Sequence, residues 1–171
     1  NLFGAGSDSG TFDYFTEVIC GKEKASRSDY TASEDDNVLV KGISGDIDSL
    51  GYFGYAYYLE NKDKLKLVAI ETSSGPVLPS EETIAKGTYK PLSRPLFIYV
   101  SVKSLERPEV KAFVQYYLDH APTLVKDVGY LPLPEEITQM AKVRFEKRKA
   151  GSVYEGSAIV GMTLETRMRS N

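Results

Sequence analysis

Residues that could hold a small anion cluster near the start of the chain, in the run Gly-Ala-Gly-Ser-Asp-Ser-Gly-Thr at positions 4–11. Ser7, Ser9 and Thr11 supply hydroxyl donors, and the glycines let the main chain approach a ligand closely. A helix is predicted to begin near Phe12, so the run ends at a helix N-terminus, where amide groups lack internal partners and the helix dipole adds partial positive charge. The run therefore predicts a pocket for a tetrahedral oxyanion, built from neutral donors.

Two other interpretations of this run stay open. Ser9 or Thr11 suits a simple helix cap, in which the side chain bonds a first-turn N–H. Alternatively, Ser9 or Thr11 serves as the nucleophile of a phosphatase-like hydrolase, which requires a base within hydrogen-bond reach or a metal. The single histidine, His120, is far away in sequence. The run is not a P-loop, because no Gly-Lys-Ser/Thr follows its glycines.

The composition excludes several classes of protein. The chain has 171 residues, 42% of them apolar and 26% charged, which is typical of one soluble domain or a large lobe. A formal net charge of -3 argues against a strongly basic nucleic-acid binder. Cys20 is the only cysteine, so no disulfide forms within the chain, and with one histidine a Cys/His metal site is not expected. No metal or cofactor is predicted.

The elements that must position the run are predicted to alternate between helix and strand. The first residues and Asp29–Thr31 are assigned to loops, a short strand and then a helix fall within Leu50–Leu59, and the tail from Gly151 is expected to be loosely held. Helices are predicted at Phe12–Cys20, Ser33–Ile43, Ser80–Ile84, Pro108–Leu118, Ala121–Val128 and Glu135–Lys149, and strands at Leu65–Ile70 and Leu92–Val102. This order predicts an α/β lobe with three layers of sheet and helices, whose ligand sites lie beyond the carboxyl ends of the strands.

Five segments of the chain, in order, resemble a known family. The segments are Gly6–Glu17, Asp29–Val40, Leu50–Tyr58, Pro91–Phe97 and Leu131–Pro134. They are similar to the periplasmic phosphate-binding proteins of the ABC-type phosphate transporter, which are class II solute-binding proteins.

The resemblance implies a fold and a set of ligand contacts. Members of the family have two lobes, and the cleft between the lobes closes on one phosphate ion. The Ser-Gly-Thr segment at a helix N-terminus belongs to the second lobe and donates hydrogen bonds to phosphate. Carried over residue by residue, the predicted phosphate contacts are Ser9, Gly10 and Thr11, followed by Ser7 and Asp8.

One departure from the family concerns the positive charge at the site. Many members have an arginine four residues before the serine that corresponds to Ser9, and here that residue is Ala5. The cation would have to come from the other lobe or from Arg27, or it is missing. Arg27 is interpreted more simply as the partner of Asp29 in a surface ion pair.

A second departure concerns length. Family members begin with a first lobe of about 100 residues, the ordinary size of a domain, which carries its own phosphate loop and the carboxylate that accepts the phosphate proton. Nothing like that lobe precedes Asn1. Residues 1–150 are therefore predicted to be the phosphate-binding second lobe, without the first lobe, and residues 151–171 a C-terminal tail segment.

The resemblance implies a receptor that is not an enzyme. The expected ligand is inorganic phosphate, and the expected partners are the membrane permease of an ABC importer and the absent N-terminal lobe, with no nucleic acid. The expected location is periplasmic or at the cell surface. The alternatives are the phosphatase-like hydrolase, or a decayed receptor that acts as an interaction protein.

Overall fold

The computed structural model of the chain describes residues 1–154 and 164–170. The chain divides into two compact units, Asn1–Pro79 and Ser80–Asn171. The assignment of residues 1–150 to one lobe and of residues 151–171 to a tail stays a prediction.

A parallel three-stranded sheet forms the centre of the first unit. Strand β1 (Leu2–Ala5) lies in the middle, with β2 (Thr31–Ser33) on one side and β3 (Leu50–Gly51) on the other. Both pairs are parallel, in registers that place Phe3 opposite Thr31 and Gly51. The carboxyl ends of all three strands therefore meet at one edge of the sheet.

Three helices follow these strands in turn: α1 (Gly10–Cys20), α2 (Asp36–Ser44) and α3 (Tyr55–Glu60). Helix α1 ends at Gly21, whose φ of 75° is the left-handed conformation that glycine adopts readily. The helix at 12–20 and the strand followed by a helix within 50–59 are thus confirmed. The expectation of a loop at the chain start is wrong, because β1 lies there, and the loop predicted at 29–31 is wrong at Thr31, which begins β2.

Helices α1 and α2 cover opposite faces of the sheet. A Cβ on Gly42 of α2 would contact the ring of Phe3, so α2 packs on the face to which Phe3 points. Gly4 follows Phe3 in β1, and a Cβ added to Gly4 would contact the ring of Tyr52. The Tyr52 ring stacks on the ring of Phe15 in α1, with the ring centroids 3.8 Å apart. Since successive residues of a strand face opposite sides, the first unit has the three layers that the sequence predicts.

The last part of the first unit contains a short β-hairpin. Strands β4 (Ile70–Thr72) and β5 (Gly75–Val77) pair in antiparallel fashion. The predicted strand at 65–70 therefore overlaps the structure at Ile70 alone. Val68 is exposed, and no ladder partner lies beside 65–69 among the described residues.

The second unit is helical in its described part. It contains α4 (Glu81–Ala85), a 3-10 helix (Lys103–Glu106), α5 (Pro108–Asp127), α6 (Glu135–Glu146) and α7 (Leu164–Ser170). The side chains of Leu105, Val114 and Ile137 are buried. The helix predicted at 80–84 is confirmed as α4, which begins with a capping box between Ser80 and Thr83.

The predicted strand at 92–102 is wrong. These residues form no ladder with any described strand, and Leu96, Phe97, Ile98 and Tyr99 are exposed. Apolar and β-branched residues favour a strand only where a neighbouring strand and a half-buried surface receive them. Amino-acid composition shows a preference for strand structure, but it does not show whether a neighbouring strand is present.

Three helix boundaries also differ from the predictions. Helix α2 is capped by Asp35, whose Oδ1 accepts the Asn37 N–H at 2.9 Å, while Ser33 belongs to β2. The two helices predicted around Pro122 are one continuous helix, α5, which contains that proline. Helix α6 ends at Glu146 rather than at residue 149.

The region predicted to be a loosely held tail contains helix α7. Arg167 of this helix is buried and lies over the ring of Tyr154, with its Cζ 4.5 Å from the ring centroid. Arg169 pairs with Glu136 of α6. These contacts attach α7 to the second unit, so the prediction of a loose tail is wrong for residues 164–170.

Candidate anion-binding site

The loop Gly6–Ser9 leaves the carboxyl end of β1 and leads directly into α1. Because β1 is the central strand, the loop lies at the edge where the carboxyl ends of β2 and β3 also arrive. Ligands of parallel α/β sheets bind at this edge. The sequence-predicted residues Ser7, Asp8, Ser9, Gly10 and Thr11 are thus brought together at the expected position in the fold.

Main-chain hydrogen bonds hold the loop in place. Within it, the Ser9 N–H donates to the Gly6 carbonyl at 3.0 Å, which closes a turn. The Gly6 N–H donates to the Ser33 carbonyl at 3.0 Å and so continues the pairing of β1 with β2. The Tyr30 hydroxyl donates to the Ala5 carbonyl at 3.1 Å. The loop is therefore attached to the sheet on the β2 side.

Ser9 is the N-cap of α1. Its backbone is extended, with φ -88° and ψ 131°, and its Oγ accepts the Thr11 N–H at 3.1 Å. The capping interpretation of the sequence is confirmed. A hydroxyl that accepts one hydrogen bond still carries its own O–H, so the cap and donation to an anion are compatible.

The expectation that the amide groups at the end of the run lack internal partners is wrong for two of them. The Ser9 N–H is bonded to Gly6 and the Thr11 N–H to the Ser9 hydroxyl. The cause is the turn at residues 6–9 followed by the cap, which together satisfy these donors locally. The hydroxyl groups of Ser9 and Thr11 and the partial positive charge of the α1 N-terminus are the features that can attract an anion here.

Accessibility differs along the loop. Ser7, Asp8 and Gly10 are exposed, whereas Ser9 and Thr11 are half-buried. A small solute can therefore reach the helix N-terminus from the side of the loop.

A carboxylate that the sequence does not assign to the site, Glu34, lies on the loop. Glu34 follows β2 directly, and its Oε1 accepts the Asp8 N–H at 3.2 Å. The same carboxylate lies over Gly6, where an added Cβ would overlap Oε1. The signal that could have found Glu34 is its position at the carboxyl end of a strand next to β1, which only the strand order reveals.

Two further acids begin α2 beside Glu34. Asp35 caps the helix, and Asp36 accepts the Gly54 N–H at 3.3 Å. Burial raises the pKa of Asp36, the Gly54 N–H lowers it, and the charge of Asp35 raises it. The carboxyl edge of the sheet therefore carries negative charge as well as donors.

Arg27 is engaged elsewhere. Its Nε and one terminal nitrogen donate to the two carboxylate oxygens of Asp29, both at 2.5 Å, and both side chains are exposed. The hydrogen bond with Asp29 raises the pKa of Arg27 and lowers that of its partner. The interpretation of Arg27 as a surface partner of Asp29 is confirmed, and among the described residues no hydrogen bond or ion pair joins Arg27 to the loop.

Within residues 1–154 and 164–170, no group of three or more His, Cys, Asp or Glu side chains could hold a metal ion. None of the described helices combines the length and apolar character needed to cross a bilayer. Cys20 is exposed.

Comparison with known proteins identifies the family. The PBP superfamily domain matches residues 1–120, which include the sheet, α1 and the loop. The chain belongs to the PBP superfamily. The resemblance noted in the sequence is thereby confirmed, as is the mixed sheet-and-helix fold.

Individual relatives agree with this assignment. The protein SphX of Synechocystis sp. is 48% identical over 165 residues, which are 96% of this chain and 49% of the relative. The phosphate-binding protein PstS of Staphylococcus haemolyticus is 39% identical over 138 residues, which are 78% of this chain and 42% of the relative. The chain spans about half the length of the curated relatives it matches.

A solved structure shares the fold as well. The crystal structure of a possible phosphate binding protein from Planctomyces limnophilus superposes with a TM-score of 0.76 at 48% identity. The alignment covers 88% of this chain and 54% of that one.

Proposed function

We propose that this PBP superfamily chain binds inorganic phosphate at the loop between β1 and α1. The observation that carries the proposal is the Ser9 cap, a hydroxyl at the N-terminus of α1 on the ligand-binding edge of a parallel sheet. Relatives named phosphate-binding proteins, at 39% identity and below, support phosphate as the anion. The proposed contacts are Ser9, Gly10 and Thr11, with Ser7 and Asp8 at the rim.

The proposed site works with neutral donors. Ala5 stands where many members of the resembled family have an arginine, and Arg27 is paired with Asp29. Each hydroxyl donates a charge-assisted hydrogen bond to the anion, and the dipole of α1 adds to the attraction. Such a site binds weakly while open to water and more strongly once a second surface excludes water.

We propose that the second surface is another lobe of the same protein. The chain spans about half the length of its curated relatives, and the other half of their length is enough for a second lobe. In this proposal the lobes close on the ion, and the closed receptor delivers it to the membrane permease of an ABC-type importer. The receptor then works outside the cytoplasm, and it is not an enzyme.

In the hydrolase alternative, Ser9 would act as a nucleophile instead of a hydrogen-bond donor to phosphate. A nucleophilic serine needs a base that accepts its proton, and the Thr11 N–H that contacts the Ser9 Oγ is itself a donor and cannot be that base. Turnover of p-nitrophenyl phosphate, with and without divalent metal, tests this alternative. Turnover that disappears in Ser9→Ala would overturn the proposal that the protein is only a receptor.

Calorimetric titration of the full-length protein with phosphate tests the site. Ser9→Asp keeps a capping oxygen but replaces the O–H donor with a negative charge, so we expect phosphate binding to be lost while thermal stability is retained. Ser9→Thr keeps the cap and the hydroxyl, and Ser74→Ala in the turn between β4 and β5 is the matched control. Both should bind phosphate within about threefold of the unchanged protein. Undiminished binding by Ser9→Asp would contradict the proposal.

A further inference from the structure

The carboxylate of Glu34 occupies part of the loop to which phosphate is proposed to bind. Its Oε1 accepts the N–H of Asp8, the residue immediately before the capping Ser9. The carboxylate also lies over Gly6, so a negative charge already lies on the same four-residue loop that leads to the proposed contacts. The loop thus has an internal anion of its own.

The charge of Glu34 is not neutralised by a neighbour. Among residues 1–154 and 164–170 no lysine or arginine forms an ion pair with it, and the nearest arginine in sequence, Arg27, is bonded to Asp29. Asp35 adds a second negative charge directly after it. The charge of Glu34 also helps burial to raise the pKa of Tyr30, whose hydroxyl bonds the last carbonyl of β1.

The attachment of Glu34 to the loop is weak enough to be broken. The side chain is exposed, and one hydrogen bond of 3.2 Å joins it to the loop. Gly6 offers no side chain in the way, so the carboxylate lies directly on the main chain of the turn. An incoming anion can displace it, but the charge remains tethered nearby.

We propose that Glu34 is a built-in competitor that lowers the affinity of the loop for phosphate. The inference rests on the proposed function, because it assigns regulation to the same loop. In the anion-free protein the carboxylate takes the Asp8 N–H. Phosphate must replace it there and then bind against its repulsion, so release of the ion is favoured whenever the cleft opens.

Removal of the charge tests the inference. Glu34→Gln keeps the size of the side chain and an oxygen for the Asp8 N–H but removes the repulsion. Calorimetry on the full-length protein at low ionic strength should show phosphate binding that is roughly three- to tenfold tighter. The gain should shrink in about 0.5 M salt, because added ions screen the charge.

Glu23→Gln is the matched control. Glu23 is exposed and follows the far end of α1, about 16 Å of helix away from the loop. The control removes the same charge from the same unit and should leave phosphate affinity unchanged. An equal gain in Glu23→Gln would show a general charge effect and overturn the role of Glu34.

The remaining outcomes separate the two proposals. Weaker or unchanged binding in Glu34→Gln, with binding still lost in Ser9→Asp, would overturn the competitor and leave the proposed site standing. If Ser9→Asp binds phosphate as well as the unchanged protein, the loop is not the site, and both proposals fail together.

Discussion

At the scale of single residues, the hydroxyl of Thr16 fixes the far end of α1. The side chain is 1% exposed; its Oγ1 donates to the Phe12 carbonyl at 2.9 Å and accepts the Lys24 N–H at 2.8 Å. This hydroxyl therefore attaches the segment after α1 to the body of the helix. Helix α1 carries the proposed site at its other end, so its anchoring affects the position of the site.

We expect Thr16→Val to lower the free energy of unfolding by about 1–3 kcal/mol, because the Lys24 N–H loses its acceptor in a partly buried hydrogen bond while the shape of the side chain is kept. Thr16→Ser keeps the hydroxyl and loses only a methyl group, so it should cost about 1 kcal/mol. Urea unfolding measures both. An equal or smaller loss in Thr16→Val would contradict the importance assigned to the hydrogen bond.

The local chemistry of the loop is the part that the sequence predicts best. The glycines, the serine cap and the start of α1 depend on neighbouring residues, and the structure has the cap as Ser9 and the helix from Gly10. The role of Glu34 could not be predicted from neighbours. Its contact with Asp8 joins residues 26 apart in sequence and exists only because β2 pairs with β1.

At the scale of elements, close approach of β1 and β3 depends on Gly51. An added Cβ would lie 2.7 Å from the Phe3 carbonyl oxygen, which is main chain and cannot move aside without breaking the ladder. We expect Gly51→Ala to lower the free energy of unfolding by about 1–3 kcal/mol.

Gly54 provides the control for this prediction. It precedes α3 with φ -63°, and an added Cβ would lie 3.4 Å from the nearest atom, in ordinary contact. Gly54→Ala should therefore change stability by no more than about 0.5 kcal/mol. Equal losses in the two variants, measured by thermal unfolding, would contradict the close packing of β1 against β3.

Elements were predicted well where the signal is local and poorly where it is not. Periodicity and caps located α1, α4 and α6. The strands at 65–70 and 92–102 were predicted from apolar composition, yet a strand is stabilised by hydrogen bonds to a partner that composition does not reveal. The reverse error occurred at β1 and β2, which are three or four residues long and become strands because they pair with each other.

At the scale of the whole molecule, half-buried tyrosines make the free energy of unfolding depend on pH in the alkaline range. Burial raises the pKa of Tyr52 to about 12, with smaller contributions from Tyr30 and Cys20, and burial also raises the pKa of Tyr30, Tyr89 and Tyr154. An unfolded tyrosine ionises near pH 10. Between about pH 10 and 12 the folded chain therefore holds protons that the unfolded chain has released.

We expect the contribution of these tyrosines to the free energy of unfolding to be constant below about pH 10 and to fall as the pH rises from 10 towards 12. The Tyr52 hydroxyl is buried and has no hydrogen-bond partner among the described residues. Tyr52→Phe should therefore leave stability at pH 8 unchanged or raised, and should lessen the alkaline fall. Urea unfolding at pH 8, 10 and 11 checks this, and an undiminished fall in Tyr52→Phe would be the contrary result.

The most direct measurement of the central claim is a phosphate titration of the isotope-labelled full-length protein, followed through its amide resonances. We expect the N–H signals of Ser9, Gly10 and Thr11 to move most, and to saturate with the dissociation constant found by calorimetry. The amide of Asp8 should also move, as the Glu34 carboxylate leaves it. Saturable shifts confined to other parts of the protein, with the signals of residues 8–11 unmoved, would contradict the account.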